Sequence, residues 1–352
     1  MKFISPTYII CHCEDESKFM KYLITGSAGF IGSALTRKII SMGADVVSVD
    51  NLNNYYSPKL KNRRLNEFGI RKNSRFIEMD LCNRNQIHDL IKEYKPNQVI
   101  HLAAQAGVRF PVTQNHKYLT NNIIGFENVI SAVLENEIES FIYASSSSVY
   151  GNTANLPYAE EEQNLKPESF YGYTKLTNEQ MIKYYFKKSN TKVRGLRFFT
   201  VYGPWGRPDM AYLRLCSKLI RDTQFSLFGD GTIKRDFTYI DDVIVSVVKL
   251  SKELISRNSQ FQDIVNIGGG NPISINEMIK IASNLCGRKI EITKEAGNVL
   301  DVKETLASTR YLESLINFVP QTTISDGMNK VLNWIEESTT NEELQDWVAS
   351  CP

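Results

Sequence analysis

The stretch that decides the fold is Tyr22-Leu23-Ile24-Thr25-Gly26-Ser27-Ala28-Gly29-Phe30-Ile31-Gly32. Four residues of buried-strand type run directly into a three-glycine turn, and apolar positions then recur at Phe30, Ile31, Leu35 and Ile39 with helical spacing. A glycine turn between strand and helix lets a pyrophosphate approach the backbone N–H groups at the helix N-terminus. Three glycines alone are a weak signal; between a strand and a helix they are a strong one.

The next strand pattern, Val46-Val47-Ser48-Val49, ends at Asp50, about the distance at which an acidic residue meets the adenosine ribose. A carboxylate there accepts a hydrogen bond from the 2′-hydroxyl and repels a 2′-phosphate. The residue therefore predicts NAD rather than NADP, the alternative being a strand-end turn residue. The alternation continues: residues 75–79 lead to Asp80, 98–101 to Leu102-Ala103-Ala104-Gln105, and 141–144 into Ser145-Ser146-Ser147-Ser148, with helical patterns at 83–94 and 115–136. This pattern predicts an α/β fold built on a Rossmann-type doubly wound parallel sheet, with its site at the carboxyl ends of the strands. His101 lies inside an apolar strand and reads as a packed or capped residue without a catalytic part.

The serine run is followed by Tyr171-Gly172-Tyr173-Thr174-Lys175. In a helix, Tyr171 and Lys175 share one face. A free tyrosine titrates near pH 10, so a tyrosine base at neutral pH needs about three units of depression, roughly 4 kcal/mol in favour of the phenolate. The lysine charge would supply part of this and a positively charged nicotinamide ring more, with Ser146 relaying or sharing the proton. Alone, the same pattern also fits a polar strand end beside a surface helix.

Residues 193–199 read as a further strand, and 200–210 (Thr200-Val201-Tyr202-Gly203-Pro204-Trp205-Gly206-Arg207-Pro208-Asp209-Met210) as a Gly- and Pro-rich loop. That shift predicts a boundary. The expected organisation is an extension at 1–19 that contributes little to the fold, and a cofactor domain at 20–199 with a return segment near 236–266. A smaller, discontinuous C-terminal substrate-binding domain takes 200–235 and 267–352. Arg235-Asp236-Phe237-Thr238-Tyr239-Ile240-Asp241-Asp242 reads as the return to the first domain. Ser274 with Glu277 reads as a capping box opening a helix that Gly287 closes.

The 352 residues are 42% hydrophobic and 23% charged with a net charge of +2, which favours neither nucleic acid nor an anionic membrane as partner. Six scattered cysteines form no zinc pattern and no disulfide framework, so no metal and reduced thiols in a cytoplasm are expected. No run reaches 18 apolar residues, so no membrane insertion is expected.

With GSAGFIGSAL, VDNLNNYY, HLAAQAGVR, SSSSVYG, YGYTK, RFFTVYGPWGRPDM and RDFTYIDD in one order, the chain resembles the extended short-chain dehydrogenase/reductase family of nucleotide-sugar epimerases, nearest its UDP-glucuronate 4-epimerase branch, over about residues 20 to 340. The resemblance implies NAD contacts at Gly26, Gly29, Phe30, Ile31, Gly32, Asp50, Asn51, Asp80, Leu81, Leu102, Ala103, Ala104, Gln105, Tyr171 and Lys175. It implies a catalytic trio of Ser146, Tyr171 and Lys175, and a homodimer packed through the helices at 115–136 and 171–188.

On the substrate side it implies Thr200 and Arg207 against a sugar C6 carboxylate, which a guanidinium can hold through two parallel hydrogen bonds. The other readings of Arg207 are a solvated loop residue or a phosphate contact. Arg235 is expected on the diphosphate, and Arg109, Ser147 and Ser148 facing the substrate. Related dehydratases and decarboxylases carry carboxylates where Ser147 and Ser148 stand here, so a C4 epimerisation of a UDP-sugar is the expected outcome. Another nucleotide sugar, or a silent NAD-binding regulator, is the alternative. Two departures touch the nucleotide end: Leu300 and Ser308 replace the usual Gly and Asp, and Leu227-Phe228-Gly229-Asp230-Gly231 follows a more general epimerase pattern.

Overall fold

The computed structural model describes residues 20–107, 112–297 and 302–349. Its strands are β1 (Lys21–Thr25), β2 (Asp45–Asp50), β3 (Arg75–Glu78), β4 (Gln98–His101), β5 (Ser140–Ser146), β6 (Lys192–Phe198), β7 (Thr200–Tyr202), β8 (Phe225–Phe228), β9 (Lys234–Tyr239), β10 (Gln262–Ile267), β11 (Pro272–Ser274) and β12 (Ile292–Glu295). Seven of them form one parallel sheet in the order β10-β6-β5-β4-β1-β2-β3. The order reverses beside β1, which places a crevice over the carboxyl ends of β1 and β4.

Both faces of the sheet are covered, so β1 and β6 are buried almost throughout instead of alternating. Tyr22 and Ile24 of β1 pack with Leu35 and Ile39 of the helix Phe30–Ser41 and with Val243 and Val247 of the helix Ile240–Ser256. Leu23, between them, points the other way, into a core with Val129, Val133 and Ile182 of the helices Gly125–Glu135 and Phe170–Tyr185. This is the Rossmann-type sheet expected from the alternation.

Three local expectations need correction. The helical stretch at 115–136 is a short helix His116–Tyr118, a π-helical turn Leu119–Ile124 and a regular helix Gly125–Glu135. The segment read as all loop begins with β7, which pairs in parallel with β9 in a small sheet completed by antiparallel β11. Residues 235–239 thus lie in that small sheet, and the chain regains the large sheet through the helix Ile240–Ser256 and β10. The expected capping box is present: Ser274 accepts from the Glu277 N–H while Glu277 accepts from the Ser274 N–H, and Gly287 ends the helix in a left-handed conformation.

Gly195 of β6 lies directly across from Tyr143 of β5. A Cβ at Gly195 would fall 2.6 Å from the buried Tyr143 hydroxyl oxygen, so the strand pair leaves no room for even a methyl group. Gly195→Ala is expected to destabilise the protein by about 1–3 kcal/mol through overpacking. Urea unfolding measures this, and an unchanged midpoint would mean the two strands can spread.

Candidate active site

A cleft of about 970 Å³ opens along the carboxyl ends of the large sheet. Gly26, Gly29, Phe30, Ile31, Gly32, Asp50, Asn51, Asp80, Leu81, Leu102, Ala103, Ala104 and Gln105 all line it. Gly26 adopts φ +73°, and a Cβ there would approach Ala103 N to 2.7 Å; one at Gly32 would stand 2.0 Å from Gly26 O. The turn therefore lies flush on the segment Leu102-Ala103 that follows β4, with the N-terminus of the helix Phe30–Ser41 opening into the cleft. Asp50 accepts from Ala28 N–H at 3.1 Å through one carboxylate oxygen and from Leu52 N–H at 2.9 Å through the other, which leaves acceptor capacity on both. Bare backbone at the turn and a carboxylate at the end of β2 fit a dinucleotide with a free ribose 2′-hydroxyl.

Ser146 ends β5, and Tyr171 and Lys175 occupy the first turns of the helix Phe170–Tyr185, which Ser169 caps by accepting from Gly172 N–H. All three line the cleft. Ser146 Oγ donates to Ser148 Oγ at 3.1 Å and accepts from Ser148 N–H at 3.2 Å, and its hydroxyl lies beside the Tyr171 phenol. Lys175 Nζ donates to Ala144 O at 2.9 Å and stands 5.9 Å from the centre of the Tyr171 ring.

Burial works against the phenolate that Lys175 is expected to support in part at Tyr171. It raises the phenol above its ordinary value, opposed first by the charge of Arg207 and then by the Ser146 hydroxyl. Lys175 is itself lowered to about 8 by burial, against the opposing charge of Glu179. His101 is packed, as its strand position predicted: Nδ1 lies 2.8 Å from Thr25 Oγ1, the ring rests near Phe126 and Phe141, and burial with the neighbouring Lys175 charge lowers it to about 3.

Glu179, one turn beyond Lys175, is buried. Its Oε1 accepts from Ser145 Oγ at 2.6 Å and from Arg197 Nε at 2.9 Å, and its Oε2 accepts from Arg197 NH2 at 2.8 Å. Arg197 NH1 continues to Tyr150 Oη at 2.9 Å. Asn122, within the π-helical turn, forms a second tie. Its Oδ1 accepts from Gln105 N–H at 2.8 Å, while its Nδ2 donates to Gln105 O and to Thr174 Oγ1, both at 3.0 Å. The irregular turn thus aims an amide between the β4 loop and the tyrosine helix, a usual reason for such turns near sites.

Thr200, Arg207 and Arg235 line the same cleft, as do Ser147 and Ser148; Arg109 lies outside the described residues. Arg207 is not free for a ligand on both edges. Nε and NH2 hold Asp209 at 3.0 and 2.5 Å, and Tyr55 Oη donates to Asp209 at 3.2 Å. The motif reading missed Asp209 and Tyr55, although Asp209 stands two residues from Arg207. It also missed Asn122 and Lys61, whose Nζ donates to Asn53 O at 2.7 Å and Asn53 Oδ1 at 2.9 Å beside the Asp50 loop. A lone amide in an apolar helix, or a lysine in a polar one, carries no spacing signal.

Residues 22–268 match the model of the NAD dependent epimerase/dehydratase family. The chain is 38% identical over 331 residues to Protein CapI of Staphylococcus aureus, covering 90% of this chain and 99% of that protein. It is 36% identical over 318 residues to a UDP-glucuronate 4-epimerase of Thermodesulfobacterium geofontis, covering 90% and 96%. The crystal structure of UDP-glucuronic acid 4-epimerase from Bacillus cereus, in complex with UDP-glucuronic acid and NAD, superposes with a TM-score of 0.83 at 32% identity, covering 91% of this chain and all of that one. Given a match over most of its length and this glycine turn, serine strand end and tyrosine-lysine helix, the chain belongs to the NAD-dependent epimerase/dehydratase family.

Proposed function

We propose that this protein interconverts UDP-glucuronate and UDP-galacturonate by NAD-dependent inversion at C4. The carrying observation is that Ser146, Tyr171 and Lys175 meet in the cleft that also holds Arg207 and the glycine turn. The relatives named above support the choice of sugar. When bound, NAD supplies a reversible hydride acceptor.

Tyr171 takes the proton of the sugar 4-hydroxyl as the C4–H bond breaks, and returns it after the 4-keto sugar has turned in the cleft. Ser146, beside the phenol, shares that proton. The Lys175 ammonium stabilises the phenolate, and Ala144 O fixes the ammonium. Thr200 and the edge of Arg207 not used by Asp209 receive the C6 carboxylate, with Ser147 and Ser148 against the sugar and Arg235 on the diphosphate. Holding the carboxylate in this way suppresses loss of carbon dioxide from the β-keto acid.

A second reading, epimerisation of an uncharged UDP-sugar, is favoured by one observation: Arg207 already has a carboxylate, Asp209. We further propose a homodimer in the cytoplasm. Leu119, Ile124, Tyr173 and Tyr184 are exposed on the two neighbouring helical segments at 116–135 and 170–185, the apolar face that a two-fold partner would cover.

An NMR time course with UDP-glucuronate and no added nucleotide tests the reaction. UDP-galacturonate is expected to appear without a decarboxylated pentose. Inertness with UDP-glucuronate, together with turnover of UDP-glucose or UDP-N-acetylglucosamine, transfers the function to the second reading. Tyr184→Glu is expected to convert the dimer to monomer in light scattering; a wild-type monomer would refute the assembly.

A third expectation concerns pH. The ammonium of Lys175 is present below about 8 and lost above it, so kcat/KM is expected to fall on the alkaline side. Glu179→Gln removes the negative charge that opposes this loss, so the alkaline limb should move down by about one pH unit. The same change strands Arg197 and should cost about 3–5 kcal/mol of stability. A destabilised variant with an unmoved limb would leave Glu179 with a packing role alone.

A further inference from the structure

We propose that Arg64 is a positioning residue that joins the cofactor turn to the loop carrying Arg207, so that one buried guanidinium seats both the dinucleotide and the sugar. The inference rests on the NAD-dependent UDP-sugar reading above.

Arg64 belongs to the helix Pro58–Glu67 and is fully buried. NH1 donates to Ala28 O at 3.0 Å, inside the glycine turn, and to Tyr56 Oη at 2.6 Å. Nε donates to Trp205 O at 3.0 Å and NH2 to Gly206 O at 2.9 Å, the two carbonyls immediately before Arg207. These four acceptors are three backbone carbonyls and a phenol, none of them a carboxylate. The cation is therefore held by dipoles, behind the turn whose far side meets the cleft. Such a charge favours a pyrophosphate at the N-terminus of the helix Phe30–Ser41.

The loop end needs this support. Trp205 has φ +63°, a left-handed conformation that strains a residue with a Cβ. Its ring is wedged between Phe68 at 5.5 Å and Trp334 at 5.2 Å, and the Arg63 guanidinium lies 5.2 Å from its centre. Gly206 has no space beyond its backbone, since a Cβ there would stand 1.6 Å from Tyr212 Oη. Packing thus fixes the flanks while Arg64 fixes the two carbonyls between them, and that sets where the Arg207 side chain leaves the loop. A lysine keeps the charge but is a point donor that cannot span a planar set of acceptors on two loops.

The test uses the holoenzyme with Arg64→Lys. Exchange of bound NAD for labelled NAD is expected to be about tenfold faster and the KM for UDP-glucuronate about tenfold higher, whereas the inhibition constant of UDP alone stays within twofold. Tyr56→Phe, which removes one acceptor and leaves a milder fold perturbation, should shift the first two constants in the same direction by about threefold. In an Arg207→Met background the KM effect of Arg64→Lys should vanish, because the residue acts on the sugar through Arg207.

Unchanged NAD exchange in both variants overturns the proposal, as does an equal weakening of NAD, UDP and UDP-glucuronate, which would mean general loosening. If wild type leaves UDP-glucuronate untouched, the functional reading fails on its own. NAD exchange still decides whether Arg64 holds the cofactor turn.

Discussion

The buried pair of Glu179 and Arg197 is the constraint on which the arrangement of the site depends. Removing a carboxylate and a guanidinium from water is costly, and the cost is offset only when the geometry is good and the remaining lone pairs are used. Here the guanidinium meets both carboxylate oxygens and Ser145 supplies another donor. Tyr171, Lys175 and Glu179 form one stripe at four-residue spacing, and the stripe runs along the end of β5. Lys175 meets Ala144, Glu179 meets Ser145, and Tyr171 meets Ser146. Sliding the helix by one turn would leave Arg197 unpaired in the core, so the helix has a single register on the sheet.

That same burial sets the resting protonation of the site. It raises the Tyr171 phenol and lowers the Lys175 ammonium, favouring the neutral form of each. Making the base therefore draws on positive charge from outside the tyrosine-lysine helix as well as on Lys175. Arg207 is the first such charge facing the phenol, and it comes from the loop between β7 and the helix Ala211–Ile220. Base strength and the position of the proposed sugar loop are thus electrostatically joined, and Arg64 holds the backbone of that loop against the cofactor turn.

Much of this was legible in the sequence because it depends on local chemistry. A strand running into three glycines, an acid at the next strand end and a phenol four residues before a lysine each carry their meaning in the spacing. The parallel sheet followed from the alternation, and the Ser274 cap from two residues. What escaped depends on contacts between distant segments. The helix containing Arg64, Pro-Lys-Leu-Lys-Asn-Arg-Arg-Leu-Asn-Glu, looks like a solvated polar helix, and nothing local says that one of its arginines is fully buried. β7 is three residues long beside Gly-Pro-Trp-Gly, so loop composition masks a strand that exists only because β9 pairs with it. The π-helical turn follows from Asn122 bonding to Gln105 and Thr174, which lie 17 and 52 residues away in the chain. Arg207, 36 residues beyond Tyr171, is likewise a charge on the phenol that only the fold reveals.

The pairing of Arg207 with Asp209 bears on how an acid sugar would be chosen. Asp209 takes the Nε and NH2 edge and is steadied by Tyr55, so the charge of this cleft-lining guanidinium is already partly balanced. Under the proposed function, an incoming carboxylate would find directed N–H donors more than net positive charge, and would share one guanidinium with a resident carboxylate. Two acceptors on opposite edges of a planar cation hold it in plane, a constraint that a lysine in that position would not impose. Selection for the acid would then rest on hydrogen-bond geometry set by the loop backbone. A loop with a strained tryptophan and a glycine without spare volume is suited to that task only while its carbonyls are held, which places specificity for the sugar partly in the helix that carries Arg64.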